Sequence, residues 1–404
     1  YIRGRKEQAM RQYFFYNEAY KKAKVDTNKI LTIYKSAGKK YKVKYCNLPN
    51  KKSAAKIEEL LQEGESFNDI FKNVFEEGKI PEREIGFDSP QVDAVFEALF
   101  VNKVKKGEVI GPIKTGTNDF LIMKVEGWTD KLAISDRQAQ QRYEDVSKKL
   151  TMMEAEEIYE DYILEIMSGK RLEFEESTFR KLEGLFADLY YESKKKQKNK
   201  LNQTIWDREA NTNLIDSLGN RVLRMENRVL FTIEGKKWTV RDFLEELQSH
   251  PLVYGKKNIR RHEYPGHFRQ AIADLIRDKY LTEEAYKKGY GELNVVKNYT
   301  NMFQDHLLSQ YQKNKYLKKV KSKNDSNTYF EDINNYLNPY IDSLQNKYAD
   351  RIEINTEAFN QIKLTNIDMV ALQSNIPFPV VVPSFPILTT DSKLDYGKEY
   401  KEEQ

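Results

Sequence analysis

At Lys39 the apolar residues change their period, and that change limits the fold more than any other feature of the chain. Upstream, Met10, Tyr13, Phe14, Tyr16 and Tyr20 recur near the helical repeat, with Lys and Arg between them. Downstream, Tyr41, Val43 and Tyr45 alternate with Lys42, Lys44 and Cys46, as in a half-buried strand closed by Asn47, Leu48 and Pro49. Helical spacing returns in Ala54, Ile57, Leu60 and Leu61 and, past Gly64, in Phe67, Ile70, Phe71 and Val74. A strand at 85–87, a helix over 91–100 and a hairpin with strands at 109–114 and 120–125 complete the run. The hairpin turn at 115–118 is rich in residues that tolerate positive φ. Strand, two helices, strand, helix, hairpin: residues 39–129 read as one α+β unit.

The rest of the chain is helical in pattern. Met153, Ile158, Tyr162 and Ile166 form one stripe, and Phe179, Leu182, Leu185, Phe186 and Leu189 another. A strand (229–233), the turn Glu234, Gly235, Lys236 and further helices to about Leu317 follow. The chain has 404 residues, of which 39% are apolar and 32% charged, a balance that suits an elongated, surface-rich protein of two or three domains. Its net charge of +5 points neither to a nucleic-acid binder nor to an acidic tail. The run Lys194–Lys200 lacks interleaved aromatics, so it reads as a solvated helix end rather than a phosphate site.

Cys46 is the only cysteine, which excludes an intramolecular disulfide, a thiolate zinc cluster and a CxxC redox pair. His250, His262, His267 and His306 show none of the common zinc spacings, so no metal or other cofactor is expected. The first three surround Tyr264, Pro265 and Gly266 in what reads as a surface loop. No apolar run is long enough for a transmembrane helix. A start at Tyr1 rather than Met suggests an upstream segment, and an export signal would fit there.

Two internal matches relate the helical parts. Glu18, Ala19, Tyr20, Lys21, Lys22 recurs as Glu284, Ala285, Tyr286, Lys287, Lys288, each at the end of an apolar helix. More loosely, Tyr162, Ile163, Leu172, Phe174 and Phe179 correspond to Tyr340, Ile341, Ile352, Ile354 and Phe359. The offsets differ by about the length of the α+β unit, so the simplest account is one helical scaffold used twice, with that unit inserted in the first copy. The end of the chain differs again. Pro377, Pro379, Pro383 and Pro386 lie among Phe378, Val380, Val381, Val382, Phe385 and Ile387. Proline fixes φ and removes amide donors, so this is an extended arm that either packs on its own protein or captures a partner.

Residues 40–128 resemble a parvulin-type prolyl isomerase domain. The likeness is carried by the order of elements, the Ile85, Gly86, Phe87 turn, the helix through Val92, Phe96 and Ala98, and the stretches "GEVIGPI" (107–113) and "IMKVEG" (122–127). "FTIEGKKWTVRDFLEEL" (231–247) and "LIRDKYLTEEAYKKG" (275–289) are similar to the N-terminal helical region of SurA- and PrsA-type extracytoplasmic chaperones. The resemblance implies a proline slot lined by Val92 and Phe96, with Phe87, Tyr45 and Leu121 around it, although helical spacing alone equally makes Val92 and Phe96 core residues. The family's two histidines are replaced by Tyr45 and Leu121, and its Cys or Asp has no clear counterpart; Glu84 or Asp88 could approach.

The expected fold is α+β and predominantly helical, a helical chaperone scaffold with an inserted parvulin-like domain. Its parts are residues 1–38 (N-terminal helical segment), 39–129 (parvulin-like domain), 130–228 (helical connector), 229–364 (second helical unit) and 365–404 (proline-rich arm). The expected function is ATP-independent holding of unfolded outer-membrane or secreted polypeptides, in the periplasm or at the outer membrane, with no nucleic-acid partner. The 26 tyrosines and 20 phenylalanines suit client contact and suit helix packing equally. The alternatives are an active prolyl isomerase, and an accessory subunit of an outer-membrane assembly or secretion complex docking through the proline arm.

Overall fold

In the computed structural model the chain is about 60% helical, with two small antiparallel sheets, and is therefore mixed α+β and predominantly helical. The structure describes residues 1–74, 80–116, 119–199, 221–222, 224–255, 258–321, 327–361, 382–383, 385–391 and 397–399. Two units emerge, Phe15–Tyr162 and a larger one made of Tyr1–Phe14 with Ile163–Gln404. Helix α1 (Ile2–Phe15) starts the larger unit.

In the smaller unit, α2 (Thr27–Ala37) begins where Asp26 accepts the Asn28 amide at 2.9 Å and buries Ile30 and Ile33. Strand β1 (Lys39–Leu48) then sends Tyr41, Val43 and Tyr45 to one face of a sheet and Cys46 and Leu48 to the other. Helices α3 (Lys51–Gln62) and α4 (Phe67–Val74) cover the second face through Ala54, Ile57, Phe67 and Ile70. Strand β2 (Glu82–Ile85), the short helix α5 (Asp93–Phe96) running into a π-turn at Glu97–Val101, and strands β3 (Val109–Lys114) and β4 (Phe120–Asp130) follow. The sheet order is β2-β1-β4-β3, antiparallel throughout, with Tyr45 opposite Met123 and Cys46 opposite Ile122. Along the open part of the second face, Lys40 pairs with Glu84 at 2.5 Å and Lys42 with Glu82 at 3.0 Å.

The β3–β4 ladder is irregular between Ile110 and Ile113, and there Gly111 has φ +113°. A Cβ on Gly111 would stand 2.6 Å from the Leu121 carbonyl oxygen, so the position admits only glycine. Helix α6 (Asp136–Met167) lays Tyr143, Val146, Leu150 and Met153 against the first face together with α2 and α5.

In the larger unit, β5 (Leu172–Phe174) and α7 (Glu176–Asn199) precede a hairpin of β6 (Val229–Ile233) and β7 (Lys236–Thr239). The hairpin turns on Glu234 and Gly235, both at positive φ, as a two-residue loop of matching twist requires. The sheet order is β5-β6-β7. A capping box at Thr239 and Asp242 starts α8 (Val240–Leu247), followed by α9 (Tyr264–Lys287) and α10 (Asn294–Val320). The core here is aromatic, with Phe179, Phe186, Phe231, Phe243, Tyr264 and Phe268 all buried. Arg11 of α1 donates to Thr282 at 2.7 Å, and Phe14 meets Tyr290 edge-on.

Helix α11 (Tyr329–Asp332), a π-turn at Ile333–Leu337 and α12 (Asn338–Tyr348) lead to β8 (Glu353–Ile354) and α13 (Thr356–Gln361). Strand β8 pairs in parallel with β9 (Lys398–Glu399). The loosely matching segments thus share a local succession: α6, β5, α7 in one and α12, β8, α13 in the other.

Candidate functional site

The residues singled out for a proline slot lie on the first face of the four-stranded sheet. Tyr45 and Leu121 stand on adjacent strands β1 and β4, with Phe87 beyond β2, and all three are half-buried against the cluster that holds Phe96. Phe96 itself is 0% exposed. Its ring is 5.3 Å from Phe87 and 5.4 Å from Phe100, and Phe100 continues to Tyr41 at 5.3 Å. Phe96 is therefore a core residue, and no atom of it faces solvent. Val92 is the opposite case: it caps α5 with its carbonyl accepting the Val95 and Phe96 amides, and the residue is 42% exposed. Helical spacing groups Val92 and Phe96 on one helix, whereas the extended backbone of Val92 at the helix start separates them.

The polar groups beside this cluster are not those expected. Glu84 is bound to Lys40 on the solvent side of the sheet, and that hydrogen bond holds its carboxyl below the usual range. Asp88 is exposed. The rim is formed instead by Asp93, next to Val92, and by two residues of α6. Lys149 Nζ lies 2.6 Å from Asp93 and 5.2 Å above the Phe96 ring. Burial raises the Glu156 carboxyl first, and repulsion by Asp93 with a hydrogen bond to it raises it further, against the pull of Lys149. The Lys149–Asp93 ion pair, with Glu156 beside it, is a clasp between α6 and α5. Asp93 was not singled out from the sequence, and its partners lie far along the chain and carry no local signal.

Cys46 sits on the other face, its thiol pushed up to about 11 by burial, which makes it a poor nucleophile. The four histidines all fall in the larger unit, and the first three do not share a surface loop. His250 is buried, with Nε2 2.9 Å from Asp278 Oδ2, while His267 belongs to α9 and His262 is exposed. Asp278 is buried, which disfavours its charge, but the His250 hydrogen bond, Arg11 and Arg277 outweigh this and hold its carboxyl well below the usual range. This network ties α1 to α9. Among the described residues no group of three or more His, Cys, Asp or Glu could hold a metal ion, and no helix is long and apolar enough to cross a membrane.

Of the lysine run, the backbone of 194–199 continues α7, and its side chains and Lys200 lie outside the described residues. Pro377 and Pro379 also lie outside them. Pro383 is buried and Pro386 half-buried. Their segment lies on its own unit, where the Tyr329 hydroxyl donates to the Ile387 carbonyl and Phe385 meets the His306 ring edge-on at 5.7 Å. No family model, curated protein or solved structure matches the chain.

Proposed function

We propose that the protein is an ATP-independent chaperone that works outside the cytoplasm and holds unfolded outer-membrane or secreted polypeptides. In this reading its smaller unit is a parvulin-like module that no longer turns proline bonds efficiently. One observation carries the second half: the sheet face where the resemblance requires imidazoles is filled by Tyr45, Leu121, Phe87 and a fully enclosed Phe96. Rotating a prolyl amide requires preferential binding of its twisted form, and an apolar face without the two imidazoles stabilises that form weakly. The element order of strand, two helices, strand, helix and hairpin in this unit agrees with the resemblance.

Exposed apolar side chains on the larger unit support the holding role. Leu308 (55%), Tyr311 (64%) and Phe330 (65%) stand in solvent on α10 and α11. The test is suppression of aggregation of an unfolded β-barrel protein without nucleotide, beside turnover of a proline tetrapeptide. Suppression at near-equimolar protein with no turnover at micromolar concentration supports the reading. Turnover that falls in Val92→Ser, a change at an exposed position, would restore the isomerase in its place.

A further inference from the structure

Among the described residues, the proline arm is held by the larger unit through its main chain and its hydroxyls. The Tyr329 hydroxyl donates to the Ile387 carbonyl. Asn338, which follows the π-turn at Ile333–Leu337, uses its whole carboxamide: Oδ1 accepts the Thr390 amide at 3.0 Å and the Thr389 hydroxyl at 2.9 Å, and Nδ2 donates to Thr390 Oγ1 at 2.9 Å. Further on, the Lys398 amide donates to the Ile352 carbonyl at 2.8 Å where β9 joins β8.

The apolar side chains of the same segment are only partly used. Pro383 is buried, yet Phe385 is 46% and Ile387 63% exposed. A surface that reads carbonyls and amides, and asks little of side chains, accepts many sequences in extended form. Proline in the occupant lowers the entropy lost on docking. π-turns recur at binding sites because the extra residue re-aims the side chains that follow, here Asn338.

We infer that the face formed by α10, α11 and the start of α12 is a docking surface for extended, proline-containing apolar segments that carry neighbouring hydroxyls. The arm is its resident occupant and competes with such segments of unfolded clients. This rests on the holding role proposed above.

The test uses the full chain and a fluorescent nine-residue peptide with the sequence of residues 383–391 (PSFPILTTD). Thr389→Ala with Thr390→Ala removes the two hydroxyl bonds that tie the resident arm to Asn338, and this double variant should bind the peptide at least tenfold more tightly than the natural chain. Adding Asn338→Ala should remove most of that gain, and Asn338→Asp, which keeps the acceptor for the Thr390 amide, should restore part of it. An unfolded β-barrel client should displace the peptide. Equal peptide binding by the natural chain and the double variant, or binding indifferent to Asn338, overturns the inference. Peptide that stays bound while the client is still kept from aggregating also overturns it and leaves the holding role standing. Peptide binding with no suppression of aggregation ends the holding role itself.

Discussion

The aromatic cluster around Phe96 and the face that carries the arm are both apolar, but they differ in how their space is filled. The first is closed by side chains that interlock with one another, with Phe87, Phe96, Phe100 and Tyr41 in successive ring contacts. The second is closed by a segment without regular secondary structure whose main chain is held by Tyr329 and Asn338 while Phe385 and Ile387 remain partly in water. Interlocked side chains pack at near-crystal density and leave no room for a guest. A main-chain contact is interchangeable, because every extended segment presents the same groups. Resemblance to a binding fold directs attention to the first region, whereas contacts to main chain and hydroxyls are found in the second.

Four substitutions break or sharpen that contrast. Phe96→Ala removes the centre of the closed cluster and should cost about 3–5 kcal/mol, read as a lower denaturant midpoint for the smaller unit. If the cost were under about 1 kcal/mol, the cluster would have room to spare and the slot would be open. Gly111→Ala forces a Cβ toward the Leu121 carbonyl at positive φ and should cost about 1–3 kcal/mol by the same measurement.

Glu156→Gln tests the clasp that fastens α6 over this face. Its carboxyl is raised in the fold, so the folded state binds the proton more tightly, and stability falls as pH rises from the ordinary carboxylate range through the folded pKa. The variant should therefore gain slightly on the natural chain at pH 7, and the gain should fade toward pH 4. Ile387→Ser, in the arm, should shift stability by no more than about 0.5 kcal/mol because its side chain stands mostly in solvent. A large loss there would make the arm part of the core and erase the distinction between the two regions.

Much of the secondary structure was legible, because strands and helices that bury one face must show it in their spacing. Tyr41, Val43 and Tyr45 alternate, and β1 runs through them; Gly107 and Gly111 punctuate the hairpin, and both have positive φ. The site was legible only in part. Tyr45, Phe87, Phe96 and Leu121 do converge, since a two-residue period fixes the face of a strand residue once its neighbour is known. Exposure was not readable from spacing, which is why Val92 and Phe96 part company. Lys149 and Glu156 meet Asp93 only through the packing of a helix that begins more than forty residues later, and no local pattern encodes that. His250 was misread as a surface residue for the same reason: its partner Asp278 belongs to another element.

The bond from Arg11 to Thr282 joins residues 271 positions apart. During synthesis α1 leaves the ribosome well before its cognate helix α9, and every strand of the four-stranded sheet is made between them. The nascent protein thus has the means to complete its smaller unit early and must carry α1 unmatched until the second half appears.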